Sequence, residues 1–228
     1  MFKKRGPPCP VGGKTMSKVF VSMGMSLDGR IAGPNRGPTN PLGDHGVEIH
    51  NWAYLQKVFR QNLKLGPGGE TGTDNRILDA TLKRTGAQIM GKRMFEEGQQ
   101  NWPEDAPFHT PVFVLTHEKR QPWERKGGTT FYFVNDGIES ALRQAREAAG
   151  GKDIRISGGA NVALQYLNAG LVDELSIALA PMVLGDGLRL FDGVDKRRVS
   201  LKIVEAVHSP LVTHLRYAVT PEAGSSKA

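Results

Sequence analysis

Ile154-Arg155-Ile156-Ser157-Gly158-Gly159-Ala160-Asn161 joins a strand to a helix through two glycines. A hydrophobic strand over residues 154–157 empties into two glycines and then into a helix over 162–169, closed by Gly170. Glycine lets the backbone turn sharply and removes the Cβ that would hold a phosphate away. The free amides and the dipole of the helix start favour an anion at that point. A tight strand-to-helix turn that needs glycine only for steric reasons is the competing account, and the turn alone does not choose between them. The stretch is not Gly-x-Gly-x-x-Gly and no Walker lysine follows it, so neither the Rossmann fingerprint nor a P-loop applies.

Working outward, the pattern alternates. Residues 19–23 read as a strand that meets the loop Ser26-Leu27-Asp28-Gly29. Trp52, Leu55, Val58, Phe59 and Leu63 repeat with helical period, flanked by Gly/Pro-rich loops over 33–46 and 64–72. Two long loops in one compact domain usually border a site. Asp74 is placed to cap a helix that runs to about Thr85 and stops at Gly86. Short strands follow at 87–90, 112–116 and 130–134. Asp136 with Glu139 resembles a capping box ahead of a helix whose apolar face is Ile138, Leu142, Ala145 and Ala149. Downstream, 174–180 is a strand, and 201–208 with 213–219 make a hairpin around Ser209-Pro210. The expected architecture is α/β: a mixed, mostly parallel central sheet, helices on both faces, and an antiparallel carboxyl-terminal strand.

Composition narrows the classes. A chain of 228 residues with 39% hydrophobic content can bury a full-sized core as one domain. No apolar run approaches the roughly 20 residues that cross a bilayer, so no membrane partner is expected. Cys9 is the only cysteine, which excludes an intramolecular disulfide and a multi-cysteine zinc site and fits a reducing cytoplasm. The net charge of +7 invites a nucleic-acid reading, but Lys3, Lys4, Arg5 and Lys14 lie in a Gly/Pro-rich stretch without acids, and removing them leaves +3. Residues 1–16 are therefore read as an extension or tag outside the fold and 221–228 as a tail, with the domain spanning 17–220. Nucleic acid is not an expected partner.

Two further clusters stand at strand ends, where parallel sheets gather ligands. Gly91-Lys92-Arg93 could hold a pyrophosphate by charge-assisted bonds, or be a solvated basic pair. Thr116 with Lys119 and Arg120 could hold a ribose 2′-phosphate and so select NADP over NAD, or be a charged surface turn. Three strand-end clusters with one chemical preference are the pattern of an extended, phosphate-bearing ligand.

Taken in order, Ser26-Leu27-Asp28-Gly29-Arg30-Ile31-Ala32-Gly33, Ile89-Met90-Gly91-Lys92-Arg93-Met94-Phe95, Ser157-Gly158-Gly159-Ala160-Asn161, Gly170-Leu171-Val172-Asp173-Glu174-Leu175 and Gly185-Asp186-Gly187-Leu188-Arg189-Leu190-Phe191 resemble the reductase domain of bifunctional riboflavin-biosynthesis deaminase-reductases and their stand-alone dihydrofolate-reductase-like relatives. The resemblance spans about residues 17–219. It implies a dihydrofolate-reductase-like fold with NADPH lying across the strand ends. Gly91, Lys92 and Arg93 would face cofactor phosphates, and Thr116 with Lys119 and Arg120 would sit near the adenosine. Ser157, Gly158, Gly159, Ala160 and Asn161 would cradle the pyrophosphate, and the 26–29 loop would border nicotinamide and substrate. It also suggests a homodimer through the carboxyl-terminal strands.

The implied activity is NADPH-dependent reduction of a small pterin- or ribosylaminopyrimidine-like heterocycle. The alternative is a nucleotide-binding module that kept the fold without turnover. Asp28 is the first choice for a proton donor, ahead of Asp44, Glu48 and Glu70, although an Asp before Gly is also an ordinary turn former. Dihydrofolate reductases proper carry a substrate-binding carboxylate on their first helix, whereas residues 51–63 hold no Asp or Glu. Asp44, His45, Glu48 and His50 match no recognised metal spacing, so no metal is expected.

Overall fold

The computed structural model describes residues 17–220 apart from Ala106. The expected basic extension and the carboxyl-terminal tail lie outside the described residues. Among these residues, one nine-stranded sheet organises the chain. Its parallel centre is built from β1 (Val19–Ser26), β3 (Thr85–Gly91), β4 (Pro111–Leu115), β6 (Thr129–Val134), β7 (Asp153–Gly158) and β8 (Glu174–Ala180). Across the sheet the strands run β8-β1-β7-β3-β4-β6. Both borders are antiparallel: β5 (Trp123–Arg125) pairs with β6, and β11 (Thr213–Thr220) pairs with β8 and then with the outermost strand β10 (Ser200–His208). The expected mixed α/β sheet is observed. The two-residue β9 (Leu188–Arg189) and β2 (Arg30–Ala32) form a small ribbon of their own.

The two faces of the sheet are covered differently. On one face α5 (Ile138–Ala148) and α6 (Ala160–Asn168) pack on the central strands. Alternation along β1, β3 and β7 sends Val19, Val21, Ala87, Ile89, Ile154 and Ile156 into that layer. The Tyr166 hydroxyl donates to the Ile138 carbonyl at 2.6 Å and joins the two helices. The capping box expected at Asp136 is not formed: Gly137 is the N-cap, with no side-chain cap bond.

The other face is covered in two separate blocks. One is α1 (Asn51–Tyr54), α2 (Lys57–Asn62) and α3 (Thr73–Arg84), which bury Trp52 and Ala53 against Val212. The other is α4 (Lys92–Gly98), whose Phe95 is wholly buried among Trp102, Trp123, Phe131 and Phe133. A furrow is left between the blocks, over β1, β7 and β3.

Two expectations about the first helices are corrected. The continuous helix over 52–63 is broken at Gln56, whose backbone is extended (φ −84°, ψ 135°). The break is held by Lys57 N–H donating to Glu70 O at 2.9 Å, Glu70 N–H to Leu55 O at 2.8 Å, and the Gln56 side chain donating to Trp52 O at 2.9 Å. These bonds outweigh the helical periodicity. Asp74 does not cap α3, whose N-cap is Gly72. It is buried and used over distance, accepting from the Ser209 hydroxyl at 2.8 Å and lying 2.9 Å from His214 Nε2.

The amino-terminal edge of the sheet carries an ionic clamp. Arg84 Nε donates to Asp153 at 2.8 Å and Nη1 to Glu174 at 2.5 Å, while its guanidinium lies 4.2 Å from the Phe20 ring centroid. Glu174 is buried, so removing its main cation leaves a poorly compensated charge. Arg84→Met is expected to destabilise the fold by about 3 kcal/mol, read from the midpoint of urea unfolding.

Candidate functional site

The furrow opens into a cavity of about 1190 Å³ that runs to the carboxyl ends of β3, β4 and β7. Pockets for one drug-sized ligand occupy roughly 300–1,000 Å³, so this space can take more than one small molecule. One wall is made of strand ends. Gly91, Lys92 and Arg93 at the end of β3, Thr116 and His117 after β4, Asn135 and Gly137 after β6, and Ser157–Asn161 all line it. They meet there because parallel strands place their carboxyl ends on one edge.

The β7–α6 turn is shaped by its glycines. Gly158 has φ +141°, and a Cβ there would lie 2.8 Å from Met94 Sδ, so the turn is pressed against α4. Gly159 differs: its φ is −84°, and a Cβ would meet nothing within 4 Å. The peptide between them is cis. Gly159 is the N-cap of α6 and has no side chain to cap it, and with Ala160 and Asn161 it lines the groove, so the first-turn amides could bond an acceptor there. These features fit the pyrophosphate of a dinucleotide.

The cations on this wall have partners. Lys92 is ion-paired with Glu118 and lies 3.5 Å from Glu96, and Arg93 Nε is 3.1 Å from Glu97. Glu118 first, then Glu96, raises the Lys92 ammonium above the usual lysine range. The Thr116 hydroxyl accepts from Glu118 N–H at 3.0 Å. Lys119 and Arg120 do not line the groove. Arg120 is instead laid over the Phe133 ring, 4.1 Å from its centroid, and contributes to the Phe95 cluster.

Asp28 lies outside the lining as well. Its Oδ1 accepts from the Ser26 hydroxyl at 2.6 Å and from Leu184 N–H at 3.1 Å, and its Oδ2 accepts from Gly185 N–H at 2.9 Å. The Ser26 hydroxyl first, and then these amides, hold the carboxyl well below the usual carboxylate range. These bonds fasten the loop after β8 to the loop after β1. Asp44 accepts from Asn35 and Asn40 side chains, Glu48 pairs with His45, and Glu70 takes part in the Gln56 break. None of these three lines the groove.

Apart from Ser157, the floor holds residues that the sequence motifs do not mark as ligands. Ser22, Gly24, Gln88, Arg155, Ser157 and Ser176 lie on β1, β3, β7 and β8 and all face the cavity. A covered sheet face is normally apolar, so polar side chains on four central strands mark a ligand surface. Alternation was the available clue: in Ile154-Arg155-Ile156-Ser157 the polar residues share one face. His50 rests on the Gly24 backbone, where a Cβ would come 2.8 Å from its Cε1. Burial, and then the Arg155 charge, lower its imidazole to about 4. His50 is thus neutral in the fold and protonated at about 6.5 when unfolded. Protons are taken up on unfolding between these values, so its contribution is complete above pH 6.5 and is lost as pH falls toward 4. Wild type is expected to lose up to about 3 kcal/mol over that window through this residue, and His50→Gln to lack that component in urea unfolding at stepped pH.

Comparison with known proteins places this geometry. The sequence profile of the RibD C-terminal domain family matches residues 17–215. The uncharacterized protein YyaP of Bacillus subtilis (strain 168) is 32% identical over 122 residues, which are 51% of this chain and 64% of that protein; the match thus spans just under two thirds of the curated relative. A protein assigned by name to riboflavin biosynthesis, from Shewanella sp. PV-4, superposes with a TM-score of 0.61 at 20% identity, covering 90% of this chain and 99% of that one. Dihydrofolate reductase from Enterococcus faecalis, solved with NADP(H) and an inhibitor designated RAB-propyl, gives 0.51 at 13% identity, with 90% and 97% covered. At such identities the structural likenesses establish the fold alone.

Proposed function

The chain belongs to the RibD C-terminal domain family, and from that premise we propose that it is an NADPH-dependent reductase of a small heterocyclic substrate. The convergence of Gly91, Lys92, Arg93, Thr116 and the 158–161 turn on one wall of one groove carries this reading. In it, the free amides of α6 and the Gly159 opening receive the pyrophosphate, and Lys92, Arg93 and Thr116 serve the adenosine end. When bound, the cofactor supplies the hydride. This chain's residues would hold the two partners against each other and keep bulk water from the reacting carbon. The substrate occupies the furrow beside Trp52, His50 and Gly24. The role proposed for Asp28 is that of loop fastener.

The test is cofactor oxidation by the full chain across a panel of pterins, pyrimidines and quinones. Oxidation dependent on one class is expected. Saturable NADPH binding without oxidation on any class would instead support a nucleotide-binding module without turnover. That second reading draws on one observation: the carboxylates lining the groove, Glu97 and Glu205, are both ion-paired, with Arg36 and Arg93 and with Arg216.

A homodimer through the carboxyl-terminal hairpin, in the cytoplasm, belongs to the same proposal. β10 is an edge strand and exposes Leu201, Ile203 (69%) and Val204, the kind of apolar edge that free monomers avoid. Among the described residues no helix is long and apolar enough to cross a membrane. Wild type is expected to run as a dimer in light scattering at micromolar concentration, and Ile203→Glu as a monomer. A monomeric wild type would refute the dimer.

A further inference from the structure

The furrow floor contains an arginine without a counter-charge. Arg155 is placed by β7 on the same face as Ser157, in register with Phe20 of β1 and Gln88 of β3, and it lines the groove. Among the described residues no carboxylate lies within ion-pair distance of it. Its hydrogen bond is a long one, from Nη2 to the Ser22 carbonyl at 3.4 Å. Its Nε is buried and has no partner. Burial pulls the guanidinium down to about 10, so it still carries its charge at neutral pH.

The neighbours do not relieve it. The Ser157 hydroxyl donates to Gln88 Oε1 at 2.7 Å, and Gln88 Nε2 donates to Thr110 Oγ1 at 3.1 Å, so that pair is committed. Glu97, the buried carboxylate of the groove, is engaged by Arg36 and Arg93. Trp52 Nε1, across the furrow, is a second buried donor without a partner. Both orphans on the groove are donors, and a buried orphan asks for an explanation. A charged guanidinium in low dielectric asks for an anion, which it binds through paired N–H groups.

We propose that Arg155 is the substrate-recognising residue of the groove, and that the substrate is a flat heterocycle presenting a carboxylate or ionised lactam oxygen to it. This rests on the reductase reading for the word substrate, but not for the binding chemistry. The planar part fits beside Trp52 and His50, which line the same groove. A ring presenting a protonated amidine would set two cations together and is rejected.

Isothermal titration calorimetry of the full chain with orotate, uracil and 2,4-diaminopyrimidine tests this. The three share one ring and differ in charge and donor pattern. Each is titrated with and without saturating NADPH, so that a failed cofactor reading shows separately as absent NADPH heat. Orotate is expected to bind wild type at least about tenfold more tightly than the other two, a difference of about 1.4 kcal/mol. Arg155→Met is expected to erase the preference while binding NADPH as wild type does. Arg155→Lys, which keeps the charge and loses the fork, is expected to keep part of it and serves if the Met variant fails to fold. Equal affinities in wild type, a preference retained by Arg155→Met or absent in Arg155→Lys, or NADPH binding with no orotate heat would each overturn the proposal.

Discussion

Gly159→Asp is expected to lower NADPH affinity by at least about 100-fold, near 2.7 kcal/mol, with the far-ultraviolet circular dichroism of wild type retained. The space where the Asp side chain would project is open, with nothing within 4 Å of the Cβ position. The backbone at φ −84° lies where any residue can sit. The new carboxylate would therefore stand at the start of α6, among the amides proposed to receive the pyrophosphate. It would take the bonds the ligand needs and oppose its charge. Gly158 would not serve for this test. A side chain there meets Met94 Sδ and a positive φ, so loss of binding would be confounded with loss of packing.

Phe95→Ala is expected to cost about 3–5 kcal/mol of stability and to lower the melting temperature by roughly 10 °C. Phe95 is fully buried, with edge-to-face contacts to Trp102, Trp123, Phe131 and Phe133 at centroid separations of 6.1, 6.0, 5.1 and 5.2 Å. Truncation removes one partner from four aromatic pairs and leaves a cavity that those rings cannot all collapse into. The effect reaches the groove, because Phe95 anchors the short helix that begins with Lys92 and Arg93. NADPH binding is therefore expected to weaken even below the lowered melting temperature. A variant that melts like wild type would show that α4 is held by something other than its aromatic ring cluster.

Much of the scaffold is legible from period alone. The strands now seen as β1, β3, β4, β6, β7, β8 and β11 each announce themselves by apolar or alternating runs between turn residues, because burial on a sheet demands it, and β10 is read as their hairpin partner. The failures are non-local. Nothing near Gln56 in sequence reveals that Glu70 will pair with its strand-like break, and nothing near Asp74 reveals His214, which is 140 residues away. The short β5 and β9 owe their existence to neighbours rather than to their own residues.

The site divides in the same way. The wall proposed to hold the cofactor is local: glycines at strand ends with nearby cations can be read in one pass. Arg120 looked like part of that wall because chemistry was judged from spacing, while its ring contacts with Phe133 and Phe95 come from the fold. At Asp28 the local loop was in view and its Leu184 and Gly185 amide partners, more than 150 residues away, were not. The floor is the reverse case. Arg155 stands in the same strand as Ser157, but a charged residue in a strand reads as solvent-facing until the opposite face is known to carry helices.

The groove at the strand ends is proposed to be a dinucleotide site. The most direct test is a calorimetric titration of the full chain with NADPH. One site per chain with a dissociation constant below about 100 µM, and no comparable heat from Gly159→Asp, is the predicted result. Absence of saturable heat in wild type at millimolar NADPH, or equal binding by Gly159→Asp, would contradict the account.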